Sequence, residues 1–183
     1  MLSVNAQENA DNPLLKKWTG PYGGVPAFNE YNISQIKPAF DVVIKERLSE
    51  IEAIANNPKA PTFENTIAQM ERAGNDFKRV MTVYGIYSSN LNSPEFEPIQ
   101  REMGPILASL SSKIYQNKKL FKRIETLYNS PDKGKLTKEE QRLIWLNYTN
   151  FVKEGANLNP EAKEKVAKIN SELASYLFWP LSP

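Results

Sequence analysis

The chain has 183 residues, 40% of them apolar and 24% charged, with a formal net charge of +2. A chain of this length buries roughly 70% of its unfolded surface, so these values fit one globular domain or one large segment of a longer protein. The near-neutral balance gives no bulk electrostatic reason to expect a nucleic acid or an anionic membrane as partner. There is no cysteine and no histidine, which excludes disulfides, ordinary zinc sites, a Ser-His-Asp triad and a Cys-His pair together.

The first residues, MLSVNAQENADNP, are polar. Val4 and Ala6 stand at positions −3 and −1 of a signal-peptidase pattern before Gln7, yet the basic and apolar regions that precede such a site are missing. The residues favour a plain polar leader, and the sequence leaves the compartment open, cytoplasmic if no export signal is present. The alternative is the remnant of an export signal over 1–7, which makes it periplasmic or exported. No apolar run approaches the ~18–20 residues that cross a bilayer. Over 1–30, Pro13, Gly20, Pro21, Gly23, Gly24 and Pro26 predict an irregular strap. Leu14, Leu15, Trp18, Tyr22 and Phe28 are apolar enough to dock it on a neighbouring surface.

From Ile33 the pattern changes. Ile33, Ile36, Phe40, Val43, Arg47, Leu48, Ile51 and Ile54 recur at steps of three and four, an amphipathic helix with Pro38 near its start and Asn56-Asn57-Pro58 at its end. Thr62 then reads as an N-cap with Glu64 in the first turn. Phe63, Ile67, Met70, Gly74, Phe77, Met81, Tyr84 and Leu91 continue one helical stripe, into which the β-rich VMTVYGIYS is placed by register. Ser93-Pro94-Glu95 predicts a restart with Ser93 as cap. Its stripe is Phe96, Ile99, Met103, Ile106, Leu107, Leu110 and Ile114. Asn117 breaks that helix, and Leu120, Phe121, Ile124 and Leu127 carry a short one. SPDKGK at 130–135 is a turn, and Thr137 with Glu140 forms a capping box for a helix ending at Gly155. Asn159-Pro160 opens the last helix, with Ala162, Val166, Ile169 and Leu173 facing inward. About six helical segments and no convincing strand predict an all-α fold over 31–175.

The candidate sites are weak. The glycines at 20, 23 and 24 do not form GxGxxG, and Gly134-Lys135 is followed by Leu136, so no phosphate loop is present. Ser34-Gln35-Ile36-Lys37 and Ser130-Pro131-Asp132-Lys133 match SxxK without its companion motifs, which four-residue chance explains. Lys118, Lys119, Lys122 and Arg123 form a basic cluster that reads as a solvated helix face diluted by Glu125. Glu46, Glu50, Glu64, Glu71 and Glu102 fall opposite the apolar stripe and read as solvated, not as a catalytic pair. No catalytic, cofactor-binding or metal-ligating residue is assigned.

Six ordered blocks point further. They are NPLLKKWTGPYGGVPAFNEY (12–31), IKPAF (36–40), PTFENTIAQMERAG (61–74), IQREMGPILASLSSKIYQNKKLFKRIETLY (99–128), LTKEEQRLIWLNYTNFVKEGANL (136–158) and KVAKINSELAS (165–175). In that order they resemble the N-terminal region of the zinc metallopeptidases that include peptidyl-dipeptidase (dipeptidyl carboxypeptidase), oligopeptidase A and thimet oligopeptidase. The strap is most similar to the peptidyl-dipeptidase branch. The resemblance implies a mainly helical, two-lobed enzyme whose deep channel admits short peptides, with these helices in the lobe that roofs the channel. Its zinc, held by HExxH and a further Glu far downstream, polarises the scissile carbonyl and activates water, and the motif Glu serves as base. No part of that motif lies in this chain. Family members often carry histidines near the positions of Gln35 and Leu110, where this chain has none, and the ending YLFWPLSP departs from the family's continuing helix.

The expectation is therefore an N-terminal fragment, inactive alone, with short peptides and a missing catalytic region as partners, no nucleic acid and no membrane. Residues 176–183 read as an aberrant or truncated tail. The alternative is a non-catalytic helical binding module using Tyr176, Phe178 and Trp179 as its contact patch.

Overall fold

The computed structural model describes residues 11–21 and 24–176, with the backbone alone described at 175 and 176. Its helices are α1 (Ile36–Ala55), a π-turn (Phe63–Ala68) that runs into the short α2 (Gln69–Arg72), α3 (Asn75–Ser89), α4 (Glu97–Tyr115), α5 (Lys118–Tyr128), α6 (Lys138–Lys153) and α7 (Pro160–Tyr176). Six of these have eleven or more residues. No strand forms among the described residues, where Thr19 and Val25 share one isolated β-bridge. The fold is all-α, as the apolar periodicity predicts.

The chain divides into two units. Among the described residues the first comprises 11–47 and 74–103, and the second comprises 48–73 and 104–176.

In the first unit the strap is docked, as its apolar residues predict. Asn12 caps the turn Pro13–Leu15 by accepting from the Leu14 amide at 3.0 Å, and its own Nδ2 donates to the Gln35 carbonyl at 2.9 Å. Leu14 is buried, and Arg79, paired with Asp76 at 2.7 Å, donates to the Leu15 carbonyl at 3.3 Å. Phe28 is exposed, and Tyr22 lies outside the described residues. Asn32 and Gln35 form a capping box one turn ahead of α1. The core is aromatic. Phe40 meets Phe77 edge-on at 6.1 Å and Tyr84 at 5.4 Å, and Tyr84 meets Phe96 at 5.5 Å. Each such pair adds about 0.5–1.5 kcal/mol to the burial itself.

The second unit is built around Ile51, Ile54, Ile67, Met70, Leu120, Ile124, Ile144 and Phe151. Tyr128 stacks on Tyr148 at 3.9 Å, and Phe121 stacks on Tyr148 and Phe151 at 5.8 and 6.2 Å. The capping box of Thr137 and Glu140 is formed, Asn117 caps α5, and Asn159 caps α7 by accepting from the Ala162 amide at 2.8 Å.

Four expectations are corrected. The single stripe from Phe63 to Leu91 is broken, because Ala73 turns extended and Gly74 takes φ +72° before α3 begins. The four-three spacing carries across the break because it reports burial, which the two stretches share, and not helical continuity. Leu91 lies beyond the helix and is exposed. Ser93 does not cap by its side chain: its carbonyl accepts from Phe96 and Glu97, α4 starts at Glu97, and the buried Ser93 hydroxyl has no partner among the described residues. On α7, Ile169 and Leu173 are 53% and 55% exposed, Ala162 and Val166 half-buried, and Lys163 is the residue turned inward.

Gly74 has a left-handed φ, and a Cβ built there meets the Arg47 Cδ at 2.7 Å. Gly74→Ala is expected to lower unfolding free energy by about 1–2 kcal/mol. Urea denaturation followed by circular dichroism checks this, and an unchanged midpoint would show that the joint tolerates a side chain.

Candidate functional site

The most elaborate polar arrangement of the second unit centres on Arg123. The apolar residues Leu120, Ile124 and Leu127 give α5 one buried face, and Arg123, three residues after Leu120 and four before Leu127, falls on it. The residue is 7% exposed. Its guanidinium donates to the carbonyls of Asn57 and Lys59 at 2.9 and 3.0 Å and to the Asn65 Oδ1 at 2.7 Å, while its Nε has no partner among the described residues. Burial pulls the Arg123 pKa down from its ordinary value, yet a guanidinium remains charged in a protein. Asn65 is equally committed. Its Oδ1 also accepts from the Thr62 amide and the Thr66 hydroxyl, both at 2.9 Å, and its Nδ2 donates to the Ala60 carbonyl at 2.9 Å. Together the two side chains satisfy a loop that has no regular hydrogen bonding of its own.

Beside this loop lies a groove of about 440 Å³. Ala53, Ile54 and Ala73 supply its apolar lining, and Glu50, Glu64 and Arg72 its charges, with Arg72 paired to Glu64. Both carboxylates are exposed. Paired-carboxylate catalysis needs two acids whose environments differ, and both acids here are exposed.

The first unit holds a wider recess of about 590 Å³. Residues 31–34, ahead of α1, form one side, and Tyr87 of α3, Glu95 and Ile99 of α4 complete it. Tyr31 is fixed at both ends: its hydroxyl accepts from the Ala27 amide at 3.1 Å and its ring meets Phe28 edge-on at 5.7 Å. Tyr87 lies 5.7 Å from the buried Phe96.

The structure disperses the residues that motif matching singled out. Ser34 donates to the Asn32 Oδ1 at 2.9 Å, whereas Lys37 pairs with Glu102 at 3.3 Å and Asp41 at 3.7 Å. Lys133 donates to the Tyr128 carbonyl at 2.7 Å and lies 4.4 Å from that ring's centroid, while Ser130 caps a 3-10 turn. Neither SxxK match makes a nucleophile–base pair. In the basic cluster Lys119 donates to Asn56, Lys122 pairs with Glu125, and Arg123 is the buried clamp rather than part of a solvated face. The helical position of Arg123 in the Leu120–Leu127 stripe is the signal that would have revealed it. Glu46, Glu50, Glu64, Glu71 and Glu102 are exposed as expected. Phe178 and Trp179, and the side chain of Tyr176, lie outside the described residues.

Among the described residues no three acidic side chains gather to hold a metal ion, and the chain has no histidine or cysteine. The residues present do not fit a zinc ion. No described helix is long and apolar enough to cross a membrane.

No family model matches the chain. Individual proteins do: its homologues are dipeptidyl carboxypeptidases and oligopeptidases A, the family that the six sequence blocks resemble. It is 32% identical over 166 residues to the dipeptidyl carboxypeptidase of Salmonella typhimurium, which covers 91% of this chain and 24% of that one. Identity to the Escherichia coli dipeptidyl carboxypeptidase is 32% over 164 residues, covering 90% and 24%. Oligopeptidase A of Haemophilus influenzae is 24% identical over 163 residues, covering 89% and 23%. The chain thus spans about a quarter of the length of the curated relatives it matches.

Arg123→Ala removes three part-buried hydrogen bonds of a charged donor, with an expected loss of about 2–3 kcal/mol. Arg123→Lys is expected to recover little, because an ammonium lacks the planar fork. Comparing the urea midpoints of the two variants checks both statements, and a fully restored lysine variant would show that charge alone suffices.

Lys163 gives a pH-dependent prediction. It is buried, reaches the Gln116 carbonyl at 3.5 Å, and its backbone carbonyl accepts from the Gln116 Nε2 at 3.2 Å. Burial first, and the Lys118 charge second, lower its pKa from 10.5. The folded state therefore binds this proton more weakly than the unfolded chain. The associated stability is present above the unfolded value and lost as pH falls through the lowered folded one. The unfolding free energy of the unsubstituted chain minus that of Lys163→Met is expected to rise from pH 7 towards pH 10.5. A flat difference would show that the amine is hydrated.

Proposed function

We propose that this chain serves as a substrate-admitting segment of a zinc-dependent peptidyl-dipeptidase-like metallopeptidase, inactive by itself, whose helices roof the channel that admits short peptides. The observation that carries the reading is the 32% identity to two bacterial dipeptidyl carboxypeptidases across about nine tenths of this chain. The chemistry of the residues supports it: with neither histidine nor cysteine, the sequence lacks the ligands of an ordinary zinc site, as a segment whose parent's zinc is held elsewhere would. The open Ile169 and Leu173 stripe on α7 also fits helices that complete their packing against further polypeptide. A second reading, a helical module that binds another protein without catalysis, draws on the same stripe.

The isolated chain is expected to bind substoichiometric zinc and to leave short peptides intact after repurification; stoichiometric zinc or surviving hydrolysis overturns the reading. A chimera in which this chain replaces the aligned segment of the Salmonella typhimurium enzyme is expected to retain zinc-dependent release of dipeptides. A folded, zinc-loaded chimera without activity favours the binding module instead.

A further inference from the structure

We propose that the recess bounded by Tyr31, Asn32, Tyr87 and Glu95 binds a cationic group, the ammonium or guanidinium of a short peptide. Three observations within the first unit carry it. The first is charge. Glu95 is the sole charged residue lining this recess of about 590 Å³, none of the lining residues is basic, and Glu95 makes no ion pair with any described residue. An anion entering the recess meets a like charge, and a cation meets an uncompensated carboxylate.

The second is the pair of phenol rings. A cation near an aromatic face gains about 0.5–1 kcal/mol at an exposed site, and two rings with a carboxylate form the combination that recognises alkylammonium and guanidinium groups. The rings are held in advance, Tyr31 by the Ala27 amide and Phe28, and Tyr87 by its contact with Phe96. Little side-chain entropy is then lost on binding.

The third is Asn32. Its Oδ1 accepts from both the amide and the hydroxyl of Ser34, at 3.0 and 2.9 Å, which fixes the side chain while its Nδ2 donates to no described residue. An amide donor beside a carboxylate suits a peptide end, where a backbone carbonyl follows the ammonium by two bonds. Ile33 and Ile99 supply the apolar lining for a small side chain.

The choice of a peptide as the bearer of the cation rests on the peptidase reading, and the test separates the two. The full chain, labelled with nitrogen-15, is titrated with n-butylammonium chloride, tetra-alanine amide, its N-acetylated form, and acetyl-Ala-Arg-Ala-amide. Butylammonium, the free tetrapeptide and the arginine peptide are expected to shift the amides of Tyr31, Asn32, Tyr87 and Glu95, and the acetylated tetra-alanine is not. Glu95→Gln is expected to weaken the three cationic probes about three- to fivefold and to leave the circular dichroism unchanged. The free tetrapeptide and the arginine peptide distinguish a terminal from a side-chain cation. If butylammonium binds and neither cationic peptide does, the cation recess stands and the peptide assignment falls. If the acetylated peptide shifts the same amides equally, or Glu95→Gln binds every probe as before, the proposal is overturned.

Discussion

The second unit depends on one buried charge. The connection between α1 and the π-turn has no regular hydrogen bonding, yet its carbonyls at Asn57 and Lys59 face the buried side of α5. A planar guanidinium answers both part-buried carbonyls and the Asn65 side chain from a single residue. Because Asn65 is also the reciprocal partner of the Thr62 cap, the start of the π-turn, the shape of the loop and the position of α5 are tied together. Asn57 and Asn65, two of the partners of Arg123, also line the groove beside Glu50 and Glu64, whereas Arg123 itself does not.

The two units solve core packing in different ways. The first relies on edge-on aromatic contacts around Phe40 and tilted ones around Phe96, with the strap held down by Asn12 and Arg79. The second relies on aliphatic residues and a stack of Tyr128, Tyr148, Phe121 and Phe151. The groove of the second unit and the recess of the first differ in chemistry. The groove of the second unit has its arginine answered by a glutamate, whereas the recess of the first has a carboxylate and two phenols with no basic residue. The chain's homologues are peptidases about four times its length.

The amino-acid sequence by itself determined the all-α class, the positions of most helix ends and the kinship with the peptidases. These are local or additive signals. Thr62, Asn117, Thr137 and Asn159 cap helices through groups three residues away, and apolar spacing marks a buried face wherever that face ends up. Tertiary structure alone decided the break at Gly74, the inward turn of Arg123 and Lys163, and the exposure of Ile169 and Leu173. The physical reason is common to all of them. A stripe of apolar residues states that one side is buried but not by what, so it reads through a left-handed glycine and counts a charged residue on the buried face as solvated. It also assumes a cover that the end of α7 does not have among the described residues. The recess of the first unit is of the same kind: Tyr31 and Asn32 stand more than fifty residues from Tyr87 and Glu95, and only the packing of α1, α3 and α4 makes them neighbours.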